Sequence, residues 1–344
     1  MTRTRDVAVI IASVDAGIDS RARLARFAEE VSCRGEVLVI DASPDSCGEA
    51  SARGLRDVRV VKRPQGMLAP HLWRDGLNAT ESRYVAFSTT SMSPEIGWLE
   101  SLIKQIEDSK AAGVGGPILP DDSLNATDRA IYLLRYLNYF KAMNGELEHK
   151  SISHRFAIVN RFDSHCSPPL HGGEQNRVVS GRTDPEPPGD NALYRRESLH
   201  PFQELIAKGF WEVDIHRALR SQGERLSMSD NGYVIYQGGS RFTATIHQRI
   251  RHAMIYGGSR GSLMSPIEKL ARTLASPLVP LLLLRRIAGQ LHSKNLGWES
   301  WLPAFPFLSI LATAWAWGEA VGIWCPSDRT TRNEATLRTQ PEIV

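Results

Sequence analysis

The chain has 344 residues, 42% of them hydrophobic, and a net charge of +3, which suffices for one large α/β domain with an appendage or for two domains. Its mild basic excess differs from the dense basic stripe of a nucleic-acid-binding protein, so we exclude nucleic acid as a partner. The four cysteines are far apart and have no metal-ligand spacing, which favours free thiols in a reducing cytoplasm.

Four short apolar runs rich in β-branched residues predict buried strands near the N-terminus, at residues 7–12, 36–41, 58–61 and 84–87. Helical patterns separate these runs. Alternating strands and helices predict a Rossmann-like, mostly parallel sheet with right-handed crossovers and helices on both faces. Ligands of such sheets bind at the carboxyl ends of the strands. Three polar segments are therefore expected around one crevice: 13–15, 41–45 and 88–92.

The middle of the chain has a less regular pattern. Residues 124–143 predict a helix with several aromatic side chains. Residues 165–190 are rich in Pro, Gly and His, and we expect them to form a long loop over the site. A helix that begins at Phe210 and a strand at 233–236 complete the N-terminal domain, which we predict to cover residues 1–240.

The C-terminal part of the chain differs in character from the rest. Residues 274–284 form an apolar run that is too short to cross a bilayer, for which about 20 residues are needed. The segment 301–324 is long enough, is rich in Trp and contains one charge, Glu319; its two prolines also allow an in-plane helix. Since the first 240 residues suffice for a core, we expect membrane association of residues 241–326 rather than a buried core helix, and a disordered tail at 327–344.

One candidate binding segment, Asp41-Ala42-Ser43-Pro44-Asp45, follows the second predicted strand. A carboxylate and a hydroxyl at a strand end can hydrogen-bond a nucleotide base or a ribose. On local grounds a simple turn is the better interpretation, because Asp, Ser and Pro all form turns.

Two further candidate segments lie about one helix length apart. Asn191-Ala192-Leu193-Tyr194-Arg195-Arg196 lies in a polar, loop-like stretch, and its Arg pair can bind an anion; a helix N-terminus with solvated arginines is the alternative. Trp211-Glu212-Val213-Asp214-Ile215-His216 predicts the start of an amphipathic helix with two carboxylates and a His, which suits acid/base chemistry. The alternative is that its acids only stabilise the helix dipole, by about 0.3–1 kcal/mol.

In their order and spacing these elements resemble inverting family 2 glycosyltransferases, which have the GT-A fold, over roughly residues 6–326. The Asp-x-Ser segment, a Gly-rich strand at 113–117, the Asn-x-x-x-Arg-Arg element and the acidic helix start follow one another as in that family. The apolar, Trp-rich C-terminal part is similar to that of bacterial membrane-associated members. The resemblance implies an α/β GT-A fold with C-terminal membrane-associated helices.

The resemblance also implies roles for individual residues. The nucleotide base and ribose are expected to contact Ser13, Asp15, Asp41 and Ser43. Register against the Val-Asp-Ile block that follows makes Glu212 the general base, with Asp214 as the second candidate. The acceptor or the phosphates are expected to contact Asn191, Arg195, Arg196, Gln248 and Arg251. For residues 247–252, a basic helix that faces acidic lipid headgroups is an equal alternative.

The family's metal-binding Asp-x-Asp, which holds a divalent cation against the donor diphosphate, has no counterpart here. Its position reads Ser88-Thr89-Thr90-Ser91, and hydroxyls are weak ligands for a hard cation. We therefore assign no metal ligand. Three alternatives stay open: neutralisation of the diphosphate by Arg and Lys without metal, which we prefer, Mg²⁺ or Mn²⁺ held by other residues, and loss of catalysis.

Together these features predict an inverting glycosyltransferase of polysaccharide biosynthesis at the cytoplasmic face of the cell membrane. It would move a sugar from a nucleotide-diphosphate sugar to a lipid-linked or cell-surface saccharide acceptor. The alternative is a catalytically impaired relative that binds sugar nucleotide or scaffolds polysaccharide assembly. A nucleotidyltransferase is disfavoured, because residues 12–20 contain no Gly-rich basic loop.

Overall fold

The structure is a computed structural model that describes residues 6–14, 20–32, 34–140, 186–262, 264–294, 296 and 298–325. The described chain divides into two compact units. The N-terminal unit contains residues 6–121 and 186–239, and the C-terminal unit contains residues 122–140 and those from Ser240 onward. This division differs from the expected continuous domain 1–240, because residues 122–140 pack with the C-terminal helices.

Among the described residues of the N-terminal unit, ten strands form two sheets. In chain order they are β1 Val7–Ser13, β2 Gly35–Asp41, β3 Val58–Lys62, β4 Tyr84–Thr89, β5 Met92–Pro94, β6 Gly113–Gly115, β7 Ile118–Pro120, β8 Ala192–Arg195, β9 Leu226–Met228 and β10 Val234–Tyr236. The larger sheet has seven strands in the order β3-β2-β1-β4-β8-β6-β9, and the smaller has the order β5-β10-β7. Among the described strands of the larger sheet, β8 alone runs antiparallel to its neighbours.

The described residues contain twelve helices. In chain order they are α1 Ser20–Val31, α2 Cys47–Ala52, α3 Ala69–Asn78, α4 Trp98–Ser109, α5 Ala126–Arg135, α6 Arg196–Leu199, α7 Gln203–Ala207, α8 Glu212–Ser221, α9 Phe242–Gly261, α10 Pro266–Ala275, α11 Leu278–Ser293 and α12 Phe305–Trp324. Helices α5 and α9 to α12 belong to the C-terminal unit.

The four apolar runs near the N-terminus form β1 to β4, as the sequence predicts. Every residue of β1 and β2 is buried, which requires cover on both faces of the sheet and explains the continuous apolar pattern. On one face, Leu72 and Trp73 of α3 join a core cluster with Ile10 and Ile40. The mixed α/β fold with a mostly parallel central sheet is therefore Rossmann-like.

Two secondary-structure predictions need correction. The stretch after Asn191 is not a loop, because Ala192–Arg195 forms β8 in the interior of the sheet between β4 and β6. The alternative of a helix start applies to its end, since Arg195 is the N-cap of α6. The predicted helix at 124–143 is shorter, since α5 ends at Arg135 and is followed by one 3₁₀ turn. Its last three residues, and the expected loop up to residue 185, lie outside the described residues.

The C-terminal unit is helical, and its centre is the packing of α12 on α9. A Cβ atom at Gly322 of α12 would lie 2.3 Å from the carbonyl oxygen of Met254, and one at Gly257 of α9 would lie 2.3 Å from that of Glu319. Glycines on both helices thus bring the two backbones into contact. The segment Leu302–Trp324 has the length and composition to cross a membrane, but 56% of its most apolar window is buried against the rest of the protein.

Candidate active site

The carboxyl ends of β2, β1 and β4 form one edge of the central sheet. Strand register places Ser13 beside Asp41, and Ala12 beside Thr89. The parallel order of these strands thus brings polar residues from three distant segments into one row, as expected for a Rossmann-like sheet.

Asp41 and Ser43 are buried at this edge and bind each other. Asp41 Oδ1 accepts hydrogen bonds from the backbone N–H of Ser43 at 3.0 Å and from its Oγ at 2.6 Å. Asp41 Oδ2 accepts one from the backbone N–H of Glu49 at 2.9 Å. The carboxylate therefore holds the first turn of α2, which satisfies helix N–H groups that would otherwise lack partners.

Ser13 lies next to this carboxylate and is also buried. Within the described parts of the chain, its Oγ has no hydrogen-bond partner. A Cβ at Gly48 would lie 2.6 Å from Ser13 Oγ, so the glycine lets α2 approach the strand ends. Asp15, the fourth expected nucleotide contact, lies outside the described residues.

Two cations lie at the carboxyl end of β3, at the same edge of the sheet, and neither is among the site residues predicted from the sequence. The backbone N–H of Arg63 donates to the carbonyl of Asp41 at 2.8 Å, and its side chain binds Asp75 at 2.6 Å. Lys62 binds Glu49 at 2.7 Å. Their position directly after a predicted strand was the available signal.

At the end of β4, Ser88 connects three elements. Its Oγ donates to the carbonyl of Asp190 at 3.0 Å, and its carbonyl accepts from Nε1 of Trp73 at 2.9 Å. Asp190 lies two residues before the start of β8 and is buried. A carboxylate-bearing residue thus lies next to the position where the sequence lacks an Asp-x-Asp, although it comes from another strand.

Glu212 reaches this region from the first turn of α8. A Cβ at Gly189 would lie 3.1 Å from the carboxyl carbon of Glu212 and 3.1 Å from the ring of Trp73. Glu212 is partly exposed, whereas Asp214 is buried with Arg217 at 3.4 Å from its carboxylate. Of the two candidate bases, Glu212 is therefore the more exposed residue.

His216 lies in the core rather than in the crevice. Its Nε2 is 2.7 Å from the hydroxyl of Tyr194. Burial lowers the pKa of His216 to about 4; Glu186 acts in the opposite direction and Arg220 adds to the lowering. The imidazole is therefore neutral at neutral pH, and its role is structural.

The side chain of Asn191 is hydrogen-bonded within the protein. Its Oδ1 accepts from Nε1 of Trp98 at 2.7 Å, and its Nδ2 donates to the carbonyls of Pro117 and Gly232, each at 3.0 Å. The residue has no exposed surface. It joins three segments beneath the crevice and presents no free amide group to a ligand.

Arg195 and Arg196 lie at the opposite edge of the sheet from the crevice. Arg195 pairs in register with Tyr84, at the amino end of β4, and its guanidinium is 3.2 Å from Glu107. Arg196 lies 3.4 Å from Glu81. The antiparallel direction of β8 causes this placement, so we do not include the two arginines in the site.

Gln248 and Arg251 lie one turn apart on α9, in the C-terminal unit, and both are half-buried. Their expected contacts with acceptor or phosphate stay predictions.

The described residues do not fit a divalent-cation site of the family's kind. They contain no group of three or more His, Cys, Asp or Glu side chains that could hold a metal ion. After β4, the hydroxyls of Thr89 and Ser91 are 2.9 Å apart and bind each other. We derive no catalytic step through a metal.

Comparisons with known proteins leave the family open. No protein-family model matches the chain, and no curated protein matches it. Among solved structures, the chain is similar to a mannosyltransferase from Pyrobaculum calidifontis in complex with GDP-Man and Mn²⁺. The two are 14% identical with a TM-score of 0.46, over 92% of this chain and 88% of the other. A similarity this low carries no functional argument, so function has to be argued from the residues themselves.

Proposed function

We propose that this chain is an inverting glycosyltransferase that uses a nucleotide-diphosphate sugar and has Glu212 as its general base. The observation that carries the proposal is the position of Glu212: the residue is partly exposed, and its carboxyl carbon lies beside Gly189, which precedes the Asp190 that Ser88 of β4 contacts. The motif order of the sequence supports the same reaction class.

The proposed reaction is a single displacement at the anomeric carbon. An acceptor hydroxyl forms the new C–O bond while the bond to the donor phosphate breaks, and Glu212 takes the hydroxyl proton. The nucleoside diphosphate leaves with the bonding electron pair. One base opposite the leaving group suffices, and no covalent nucleophile is needed.

Ser13, Asp15, Asp41 and Ser43 are the proposed contacts of the base and ribose. Since Asp41 and Ser43 already bind each other and the start of α2, we propose that they act mainly by fixing the shape of the nucleotide end of the crevice. The hydroxyl of Ser13 keeps its hydrogen-bonding capacity among the described residues.

We propose that basic side chains neutralise the donor diphosphate, because no carboxylates stand at residues 88–91. Arg251 on α9, with Gln248, is the candidate from the sequence. Lys62 and Arg63 are additional cations at the same sheet edge as Asp41.

The proposed acceptor is a lipid-linked or cell-surface saccharide, and the proposed place of action is the cytoplasmic face of the cell membrane. The apolar C-terminal unit motivates both. A bacterial role in polysaccharide assembly would follow.

Glu212→Gln tests the mechanism, because the amide keeps the shape of the side chain but cannot accept a proton. We expect kcat for sugar transfer to fall roughly 10²- to 10⁴-fold, while the thermal shift caused by nucleotide stays unchanged. EDTA should leave the wild-type rate unaltered if basic side chains, rather than a divalent cation, neutralise the diphosphate as proposed.

Glu204→Gln is the matched control, because Glu204 is an exposed carboxylate in the first turn of the neighbouring helix α7. It should retain wild-type turnover. Equal turnover of Glu212→Gln and wild type would reject Glu212 as the base. Loss of turnover on EDTA treatment would reject the metal-free site.

A non-catalytic sugar-nucleotide-binding or scaffolding protein is the second candidate function. The hydroxyl residues Ser88, Thr89, Thr90 and Ser91 at the family's metal position favour it. Nucleotide binding without turnover of any donor, in wild type and in Glu212→Gln alike, would support this candidate over transfer.

A further inference from the structure

Helix α10 is amphipathic, but it presents its apolar side outward. Ile267, Leu270 and Leu274 lie on one side of the helix and are 81%, 53% and 72% exposed. No residue of α10 is buried. An exposed stripe of large apolar residues on a stable helix indicates a surface that a partner covers.

The polar side of α10 faces the protein instead. Thr273 Oγ1 accepts a hydrogen bond from Nε1 of Trp324 on α12 at 2.9 Å. The ammonium of Lys269 lies 5.9 Å from the centre of the same Trp ring. Ser265 and Glu268 form a capping box that fixes the start of the helix. The apolar face of α10 is thus exposed even though the helix is capped and its other side contacts Trp324.

The next helix extends the exposed apolar character. Leu278, Leu281 and Leu282 of α11 are exposed, and α11 begins only three residues after α10 ends. We call the six exposed apolar residues of the two helices the leucine surface: Ile267, Leu270, Leu274, Leu278, Leu281 and Leu282.

The helices that carry the leucine surface have an excess of positive charge, since α10 and α11 contain Lys269, Arg272, Arg285 and Arg286 against Glu268. Residues 240–294 contain nine Lys and Arg and a single acidic residue, Glu268. Glu268 is engaged in the capping box, and Arg285 is exposed at the surface of α11. Because the whole chain has a net charge of only +3, this excess is local. An apolar helix face bordered by cations matches a membrane whose headgroups are anionic.

We propose that α10 and α11 dock the protein onto an anionic lipid surface by inserting the leucine surface in the plane of the membrane. The inference rests on the membrane-surface site of action proposed above, and it specifies the lipid class and the element. Helix α12, in contrast, serves as the packed support of α10. Its Gly318 and Gly322 face the backbone of α9, and its one charge, Glu319, lies 3.9 Å from Arg260.

Vesicle flotation of the full-length protein tests this inference. We expect the wild type to float with vesicles of equal parts phosphatidylcholine and phosphatidylglycerol, and roughly tenfold less with phosphatidylcholine alone. High salt should weaken the binding. The double variant Leu270→Glu/Leu274→Glu should lose roughly tenfold or more of the anionic-vesicle binding, because two charges would enter the interface.

Ile96→Glu is the matched control, since Ile96 is an equally exposed apolar residue of the N-terminal unit; it should float like the wild type. Undiminished flotation of the double variant overturns the inference. The inference is also overturned if the wild type forms an oligomer and the double variant is monomeric, because a second copy would then cover the leucine surface. Extraction of the wild type only by detergent, and not by salt, would indicate a spanning α12 and also overturn it.

The two proposals can fail separately. Transfer to a water-soluble acceptor by the double variant should match the wild type, so a docking failure leaves the sugar-transfer result intact. Normal flotation together with undiminished turnover of Glu212→Gln would reject the catalytic proposal alone.

Discussion

Asn191 illustrates how hydrogen bonding distinguishes a supporting residue from a ligand-binding one. The sequence motif predicts that it binds acceptor or sugar, yet the whole amide is used by Trp98, Pro117 and Gly232. Glu212, four residues before the buried His216, is partly exposed instead. Residues of the same motif set thus differ in their exposure to a substrate.

Asn191→Ala should lower the free energy of unfolding by about 2–4 kcal/mol, because a buried indole N–H and two buried carbonyls would lose their partner. Urea denaturation measures this change. Asn78→Ala, at an exposed position at the end of α3, should change stability by less than about 0.5 kcal/mol. An Asn191→Ala protein of unaltered stability but raised acceptor KM would show that the amide binds the acceptor.

Single elements also decide which residues can meet. Strand β8 enters the sheet antiparallel between β4 and β6. Its start therefore places Asp190 at the crevice, while Arg195 lies beside Tyr84 at the other edge. Four residues of extended chain span on the order of 13 Å, which is too far for one phosphate group to contact both ends.

The glycines at the contact of α9 with α12 give a prediction for these two helices. Gly322→Ala should destabilise the protein by about 2 kcal/mol or more, since the new methyl group would meet the carbonyl of Met254, and backbone cannot move aside cheaply. Gly289→Ala is the control, because nothing lies within 4 Å of its Cβ position on α11. It should stabilise the helix by about 0.5–1 kcal/mol.

Thermal unfolding of both variants measures the difference. Equal melting temperatures would mean that α9 and α12 do not rest on a close backbone contact in solution. The packing of α12 would then have to be reconsidered, together with its assignment as the support of α10.

At the level of the whole molecule, the chain builds two units of different character. The N-terminal unit is a sheet covered on both faces, whereas the C-terminal unit is helical and exposes large apolar side chains. The local basic excess of residues 240–294 belongs entirely to the second unit. The two proposals accordingly place sugar transfer in the first unit and membrane docking in the second.

The stability of the whole fold should depend on pH through His216. Its pKa is about 4 in the folded protein and about 6.5 in the unfolded chain, so the unfolded state binds more protons between these values. Stability should therefore fall as the pH drops through this range, by about 2 kcal/mol between about pH 7.5 and about pH 5.

Urea denaturation at the two pH values checks this. His216→Gln should lose most of the pH-dependent part, while His200→Gln, at an exposed position, should retain it. An unchanged pH dependence in His216→Gln would assign the acid sensitivity to other groups.

The sequence by itself determined the N-terminal strands, the mostly parallel sheet and the helix that carries Glu212. These follow from continuous apolar runs and amphipathic periods, because the spacing of apolar residues along the chain shows whether one or two faces of an element are buried. It also identified an apolar, Trp-rich C-terminal part and the missing carboxylates at residues 88–91. Such features are local, so no knowledge of distant contacts was needed.

Tertiary structure alone decided which of the candidate residues share a site. The reversed direction of β8 separates Arg195 and Arg196 from the crevice and brings Asp190 to it. Helix α12, the most apolar helix, packs one side against α9. The apolar residues of α10, in contrast, are exposed. Strand direction and helix orientation depend on contacts between segments far apart in the chain, and local patterns do not encode them.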